Sequence, residues 1–246
     1  MANITASMVK ELRELTGSGM MDCKKALTEV DGNIEAAVDY LREKGILKAQ
    51  KKAGRIAAEG LVSATFSDDH TTAAIVEINS ETDFVAKNEE FIEFVDKTAA
   101  FVLNKAEMDM DTFMTEKFDA FGGDTVKDVL TAKVAKIGEN LNIRRFKKLE
   151  APGVVYTGYV HGGGRIGVIV GIETTATAAE IEAVGKDVAM QVASMNPKFI
   201  DESGVDPEYI ENEKKILHEQ VLNEGKKPEM VDRIVEGKIK KELKEV

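Results

Sequence analysis

Three short runs of apolar residues at three- and four-residue spacing open the chain and predict three helices within the first 45 positions. Thr5 or Ser7 caps the first, in which Met8, Leu12 and Leu15 share a face until Gly17-Ser18-Gly19 breaks the pattern. The second covers residues 20–30 and ends in an Asp31-Gly32-Asn33 turn. Ile34, Ala37, Val38 and Leu41 mark the third, which the pattern stops at Gly45. Helices this short bury too little alone, so a compact three-helix module is expected. Lys48-Ala49-Gln50-Lys51-Lys52-Ala53-Gly54-Arg55 then reads as a basic, alanine-rich connector, a solvated linker helix rather than a binding patch.

Beyond the connector the pattern changes to that of strands. Gly60-Leu61-Val62-Ser63-Ala64-Thr65-Phe66 and Ala73-Ala74-Ile75-Val76-Glu77-Ile78 predict a hairpin, with Ile75 buried, and a helix follows. The arrangement recurs: Gly153-Val154-Val155-Tyr156-Thr157-Gly158-Tyr159-Val160, a Gly-rich turn, a second strand over 166–172, and a helix. Two pseudo-repeated subdomains are expected, each an antiparallel sheet covered by a helix. Residues 98–149 between them read as largely helical, with Asp124 capping a helix near Val126. From Asp206-Pro207 the pattern is an antiparallel helical hairpin over about 205–246, turning at Gly225-Lys226-Lys227-Pro228. The fold class is therefore α+β, in regions 1–55, 56–150 and 151–246.

The two copies differ at one place. After its second strand the first has Glu81-Thr82-Asp83-Phe84-Val85-Ala86-Lys87-Asn88, where the second has Glu173-Thr174-Thr175-Ala176-Thr177. Thr82 or Asp83 can cap the next helix, which leaves Phe84-Val85 as an apolar pair at a strand-to-helix turn. An exposed aromatic beside a carboxylate suits insertion into a partner. Tucked back as a hydrophobic staple, the same ring would only brace its own helix. Both readings stand on these residues. A turn that needed Asp-Phe only for its geometry would, however, have kept something similar in its twin.

Composition narrows the chemistry. The chain has 246 residues, 43% of them hydrophobic, and a formal charge of −11, which is not the basic footprint of a general nucleic-acid binder. A single cysteine, Cys23, excludes an internal disulfide and a multi-cysteine zinc site. His70, His161 and His218 stand apart from one another and from Cys23, so no metal site or cofactor is expected. Gly162-Gly163-Gly164 lacks the Lys-Ser/Thr of a phosphate loop and joins two strands. No nucleophile-and-base pairing is visible, which argues against an enzyme. The start has no apolar signal-peptide core, and no run approaches the roughly 18 apolar residues of a membrane span. A cytoplasmic chain without a membrane partner is expected.

Three blocks carry a resemblance. They are Val9-Lys10-Glu11-Leu12-Arg13-Glu14-Leu15-Thr16-Gly17-Ser18-Gly19-Met20-Met21-Asp22-Cys23-Lys24-Lys25-Ala26-Leu27, then Thr82-Asp83-Phe84-Val85, then Ala135-Lys136-Ile137-Gly138-Glu139-Asn140-Leu141-Asn142-Ile143-Arg144-Arg145. In this order they resemble the bacterial elongation factor Ts family, and the similarity covers essentially the whole chain. Members of that family normally continue past this point into a further C-terminal part.

The resemblance implies a three-helix module of the ubiquitin-associated type. It also implies a guanine-nucleotide exchange factor that binds elongation factor Tu, both with GDP and free of nucleotide, without contacting nucleic acid directly. Thr82, Asp83, Phe84 and Val85 would dislocate the Mg²⁺ held by that partner, Phe84 as the wedge and Asp83 ordering the turn. Leu12, Met20, Met21 and Lys24 would face a helix of the partner's nucleotide-binding domain, with one of the two methionines packed inward. Ile137, Gly138 and Asn140 would extend this surface, and His161 would reach a different domain. The competing readings are an adaptor whose three-helix module binds an unrelated helix, and a hydrolase or transferase, against which the missing catalytic residues count.

Overall fold

The computed structural model of the chain describes residues 4–243, so the expected run of the last helix to Val246 lies outside the described residues. The chain divides into two compact units, Met1–Lys186 and Asp187–Val246. The first begins with α1 (Ala6–Thr16), whose N-cap hydroxyl on Thr5 accepts from the Met8 N–H, and which closes at Gly17 in the left-handed region. Then come α2 (Met20–Glu29) and α3 (Ile34–Lys52), the latter capped by Asn33. Val9, Leu12, Cys23, Ala26, Leu27 and Ala37 make the core of this three-helix module. Burial also pushes the Cys23 thiol above its ordinary pKa.

The next elements are β1 (Glu59–Phe66), β2 (Thr72–Ser80), α4 (Asp83–Ala86), α5 (Glu89–Leu103), α6 (Met110–Thr115), α7 (Val126–Ile137) and β3 (Asn142–Glu150). The strands form one antiparallel sheet in the order β1-β2-β3. Ala74, Val76 and Ile78 alternate onto the face covered by Phe91, Phe94, Val95, Ala99 and Val102 of α5. Burying each of these larger side chains contributes roughly 1.5–3 kcal/mol.

Four sequence expectations need correction here. β3 replaces the end of the supposed helical stretch at 98–149. Its apolar residues Ile143, Phe146 and Leu149 fall every third position, which mimics a helix, but a register shift opposite Glu77 and Ile78 inserts Arg144. That bulge puts both Ile143 and Phe146 on the α5 face. Thr125, not Asp124, caps α7, accepting from the Asp128 N–H. Ile75 is only partly covered, because strand alternation turns it away from α5. Finally, α3 does not stop at Gly45 but runs on to Lys52, so the expected linker helix is the continuation of α3 and not a separate element. Gly45 is where α3 meets α7: a Cβ built there would lie 3.4 Å from the Ala135 Cβ. Arg42 pairs with Asp128 at 3.0 Å and Lys52 donates to the Gly138 carbonyl, tying the module to α7 at both ends of the contact.

The second hairpin, β4 (Val154–His161) and β5 (Ile166–Glu173), forms its own sheet. It is linked to the first by the Val62 N–H, which donates to the Gly164 carbonyl at 2.7 Å, and by the Tyr156 N–H on the His70 carbonyl at 2.8 Å. The sheets meet so closely that a Cβ on Gly167 would lie 2.4 Å from Val62 Cγ1. α8 (Ala178–Met195) follows, and its Gly185 allows similarly close packing on Thr157 of β4. In the second unit, α9 (Pro207–Asn223) and α10 (Pro228–Glu242) pair through Val221, Val231, Val235 and Ile239. The layout is α+β, with helices at both ends of the chain and two small antiparallel sheets between them.

Candidate functional site

The backbone leaves β2 through Ser80, which is fully buried and donates its hydroxyl to the Thr82 carbonyl at 3.0 Å. Thr82 stays extended and caps α4, its Oγ1 accepting from the Val85 N–H at 3.4 Å. A helix of four residues has almost no intrinsic stability, so its first turn needs outside support. Glu139, just past the end of α7, supplies it. Its carboxylate accepts from the Glu81 N–H at 3.1 Å, the Thr82 N–H at 3.0 Å and the Thr82 hydroxyl at 2.7 Å. In return the Asn140 N–H donates to Glu81 Oε1 at 2.6 Å, and the Asn140 side chain donates to the Arg55 carbonyl at 2.8 Å.

On this support Phe84 stands 81% exposed, while Val85 leans on the core and Ala86 is buried. The hydrophobic staple is not formed. Asp83 turns its carboxylate to Lys87, 2.7 Å away, so the turn is ordered by Thr82 and Glu139 rather than by Asp83. The Lys87 hydrogen bond and charge hold the Asp83 carboxyl below the ordinary range. The Glu81 carboxyl is also lowered, chiefly by the Asn140 N–H and, against its burial, by Arg55. Both groups stay ionised at neutral pH.

The remaining predicted residues divide. Gly138 closes α7 with φ 85°, and with Ile137 and Asn140 it adjoins the clamped turn. His161 is exposed at the end of β4, sharing a 2.8 Å hydrogen bond with the Tyr159 hydroxyl. Arg165, in the same turn, faces Glu59 of β1 at 3.5 Å, and α4 packs beside β1. The glycine turn therefore lies toward the same end of the sheets as Phe84. On α2, Met20 and Met21 are 60% and 76% exposed, and Lys24 is exposed as well. This corrects the expectation that one methionine packs inward: Cys23, Ala26 and Leu27 take the core face of α2 instead. Leu12 is fully buried in that core, so its side chain has no free surface to offer a partner. The loop from which α2 starts sits at the end of α7, with Lys136 against Gly17.

Sequence reading missed Glu139, Glu81 and Arg55 as parts of the site. The clamp joins residues 57–59 positions apart, and no local periodicity announces such a pairing. A buried-strand exit with two more backbone N–H groups than its cap can satisfy was the available signal. Among the described residues no group of three or more His, Cys, Asp or Glu could hold a metal ion, and no helix is long and apolar enough to cross a membrane.

The family model described as "Elongation factor TS" matches residues 81–246. A protein of Clostridioides difficile (strain 630) named "Elongation factor Ts" is 56% identical over 246 residues, all of this chain and 80% of the relative. Proteins of the same name from Clostridium novyi (strain NT) and Clostridium tetani (strain Massachusetts / E88) are 53% and 52% identical, over 99% and 98% of this chain and 79% and 80% of theirs.

Proposed function

This chain belongs to the elongation factor Ts family, and we propose that it acts as a guanine-nucleotide exchange factor on elongation factor Tu. The observation that supports this most is Phe84, an apolar ring held in water on a braced turn. Such a ring gains free energy only when something else covers it, at roughly 25 cal/mol per Å².

The partner holds GDP through backbone N–H groups of its phosphate loop and through Mg²⁺. Phe84 wedges between side chains of the nucleotide-binding domain and displaces the elements that position the metal. Thr82 and Val85 set the height and angle of the ring, and Asp83 offers a carboxylate beside it. Each 1.4 kcal/mol taken from GDP binding speeds release about tenfold if association is unchanged. Met20, Met21 and Lys24 grip a helix of the same domain, with Leu12 supporting them from the module core. Ile137, Gly138 and Asn140 extend the surface, and His161 reaches a second domain.

No bond is made or broken by this chain, which is a displaceable catalyst of exchange and not an enzyme. Linkage requires that GDP weaken the factor as much as the factor weakens GDP. The work is done in the cytoplasm on a protein partner, without a nucleic-acid or membrane contact. GDP release from purified elongation factor Tu tests the proposal. The chain should accelerate release in a saturable way. Binding without acceleration would make it an adaptor instead.

A further inference from the structure

An exposed ring can act as a wedge only if something fixes its direction, and Phe84 has no covering of its own to do so. α4 is too short to hold itself. Among the described side chains, the Glu139 carboxylate takes three donors from the residues just before the wedge: the Glu81 N–H, the Thr82 N–H and the Thr82 hydroxyl. Its neighbour Asn140 is held by Glu81 in the opposite sense at 2.6 Å. The two acidic residues form a crossed clamp between the exit of β2 and the end of α7. A charged acceptor with three donors is stronger and more directional than neutral bonds.

We propose that Glu139 is a positioning residue for exchange, acting through Phe84 by locking the turn that carries it. This rests on Phe84 being the wedge. The carboxylate itself touches no partner group in this scheme; it makes the ring's direction part of the fold before the partner arrives. Docking through α2 does not depend on it. Losing the clamp should therefore slow the exchange step more than it weakens binding.

The test uses the full chain and GDP release from elongation factor Tu, with Phe84→Ala, Glu139→Ala, Glu139→Gln and the Phe84→Ala/Glu139→Ala double variant. Glu139→Ala should lower the rate at saturation about tenfold, one charged hydrogen bond's worth, with the half-saturating concentration little changed. In the Phe84→Ala background the same change should cost almost nothing, because the ring it positions is gone. Glu139→Gln, which keeps an acceptor oxygen, should recover part of the rate. An equal loss with and without Phe84, or no loss at all, overturns the proposal.

If Glu139→Ala does not fold, Glu139→Gln carries the same comparison. If the unaltered chain fails to speed GDP release, the exchange reading falls by itself. The clamp is then judged by hydrogen exchange without a partner. Glu139→Gln should speed exchange at the Glu81 and Thr82 amides while Ala74 and Val76 keep their protection, and unchanged protection at Glu81 and Thr82 overturns it.

Discussion

At the scale of single residues, exposure separates what a side chain does for the fold from what it offers a partner. Phe84 is 81% exposed, so Phe84→Ala should leave stability within about 0.5 kcal/mol. If the ring anchors in elongation factor Tu, the same change should cut exchange roughly thirtyfold, the usual weight of a binding hot spot. Ile78→Ala is the contrast: its side chain is fully buried under α5 and should cost about 2–5 kcal/mol in a denaturant melt. A Phe84→Ala chain that unfolds yet exchanges normally while folded would reverse these roles. The Mg²⁺ step is open to a separate measurement. If the ring acts by displacing Mg²⁺, a chelator removes the metal beforehand, and both the acceleration and the Phe84→Ala deficit should shrink. A deficit of undiminished size would place the action of the ring on the phosphate loop or the base.

Single elements show how much the chain discloses in advance. The three-helix module was legible because each helix repeats its apolar residues on one face and the first two end in Gly or Asp-Gly. The turn at Thr82 was legible because a capping residue precedes an apolar pair that its twin lacks. β3 was not, because a single bulge residue, Arg144, turns strand alternation into a three-residue spacing between Ile143 and Phe146. The end of α3 was misread for a related reason: Gly45 looks like a stop, whereas here the missing side chain serves close approach to Ala135. The clamp was invisible because its partners lie 57–59 residues apart and only the tertiary fold brings them together. Within α1 and α2 the same logic gives a prediction. Leu12→Ala should destabilise the module by about 2–5 kcal/mol. Met21→Ala should leave a thermal melt almost unchanged and, if α2 faces the partner as proposed, weaken binding to elongation factor Tu. A Leu12→Ala variant that melts normally would show that the core reading of α1 is wrong.

For the whole molecule, ion pairs between elements tie stability to pH. Asp128 is held below its ordinary pKa chiefly by the Thr125 hydroxyl, against its burial, with help from Arg42. Burial pushes the Glu90 carboxyl up, but hydrogen bonds from Lys133 and Lys136 outweigh it and leave the group lowered. Because the folded-state pKa lies below the unfolded one in both cases, their contribution is complete above the unfolded value and is lost as pH falls through the folded one. Stability should be flat above about pH 5 and decline below about pH 4 in melts followed across that range. A stability maximum in acid would contradict these assignments. The seat of α3 on α7 matters in another way. It places Met20, Met21 and Phe84 on one body, so if both surfaces grip a partner as proposed, the closing of one lets the other form at an effective concentration set by the protein and not by the bulk solution. Two weak grips would then multiply into avidity, and each could open alone while the other holds. Prising α3 away, for example with Gly45→Leu, should then loosen binding to elongation factor Tu although every residue proposed to contact it is still present. A factor built in this way would hold firmly and still let go in stages.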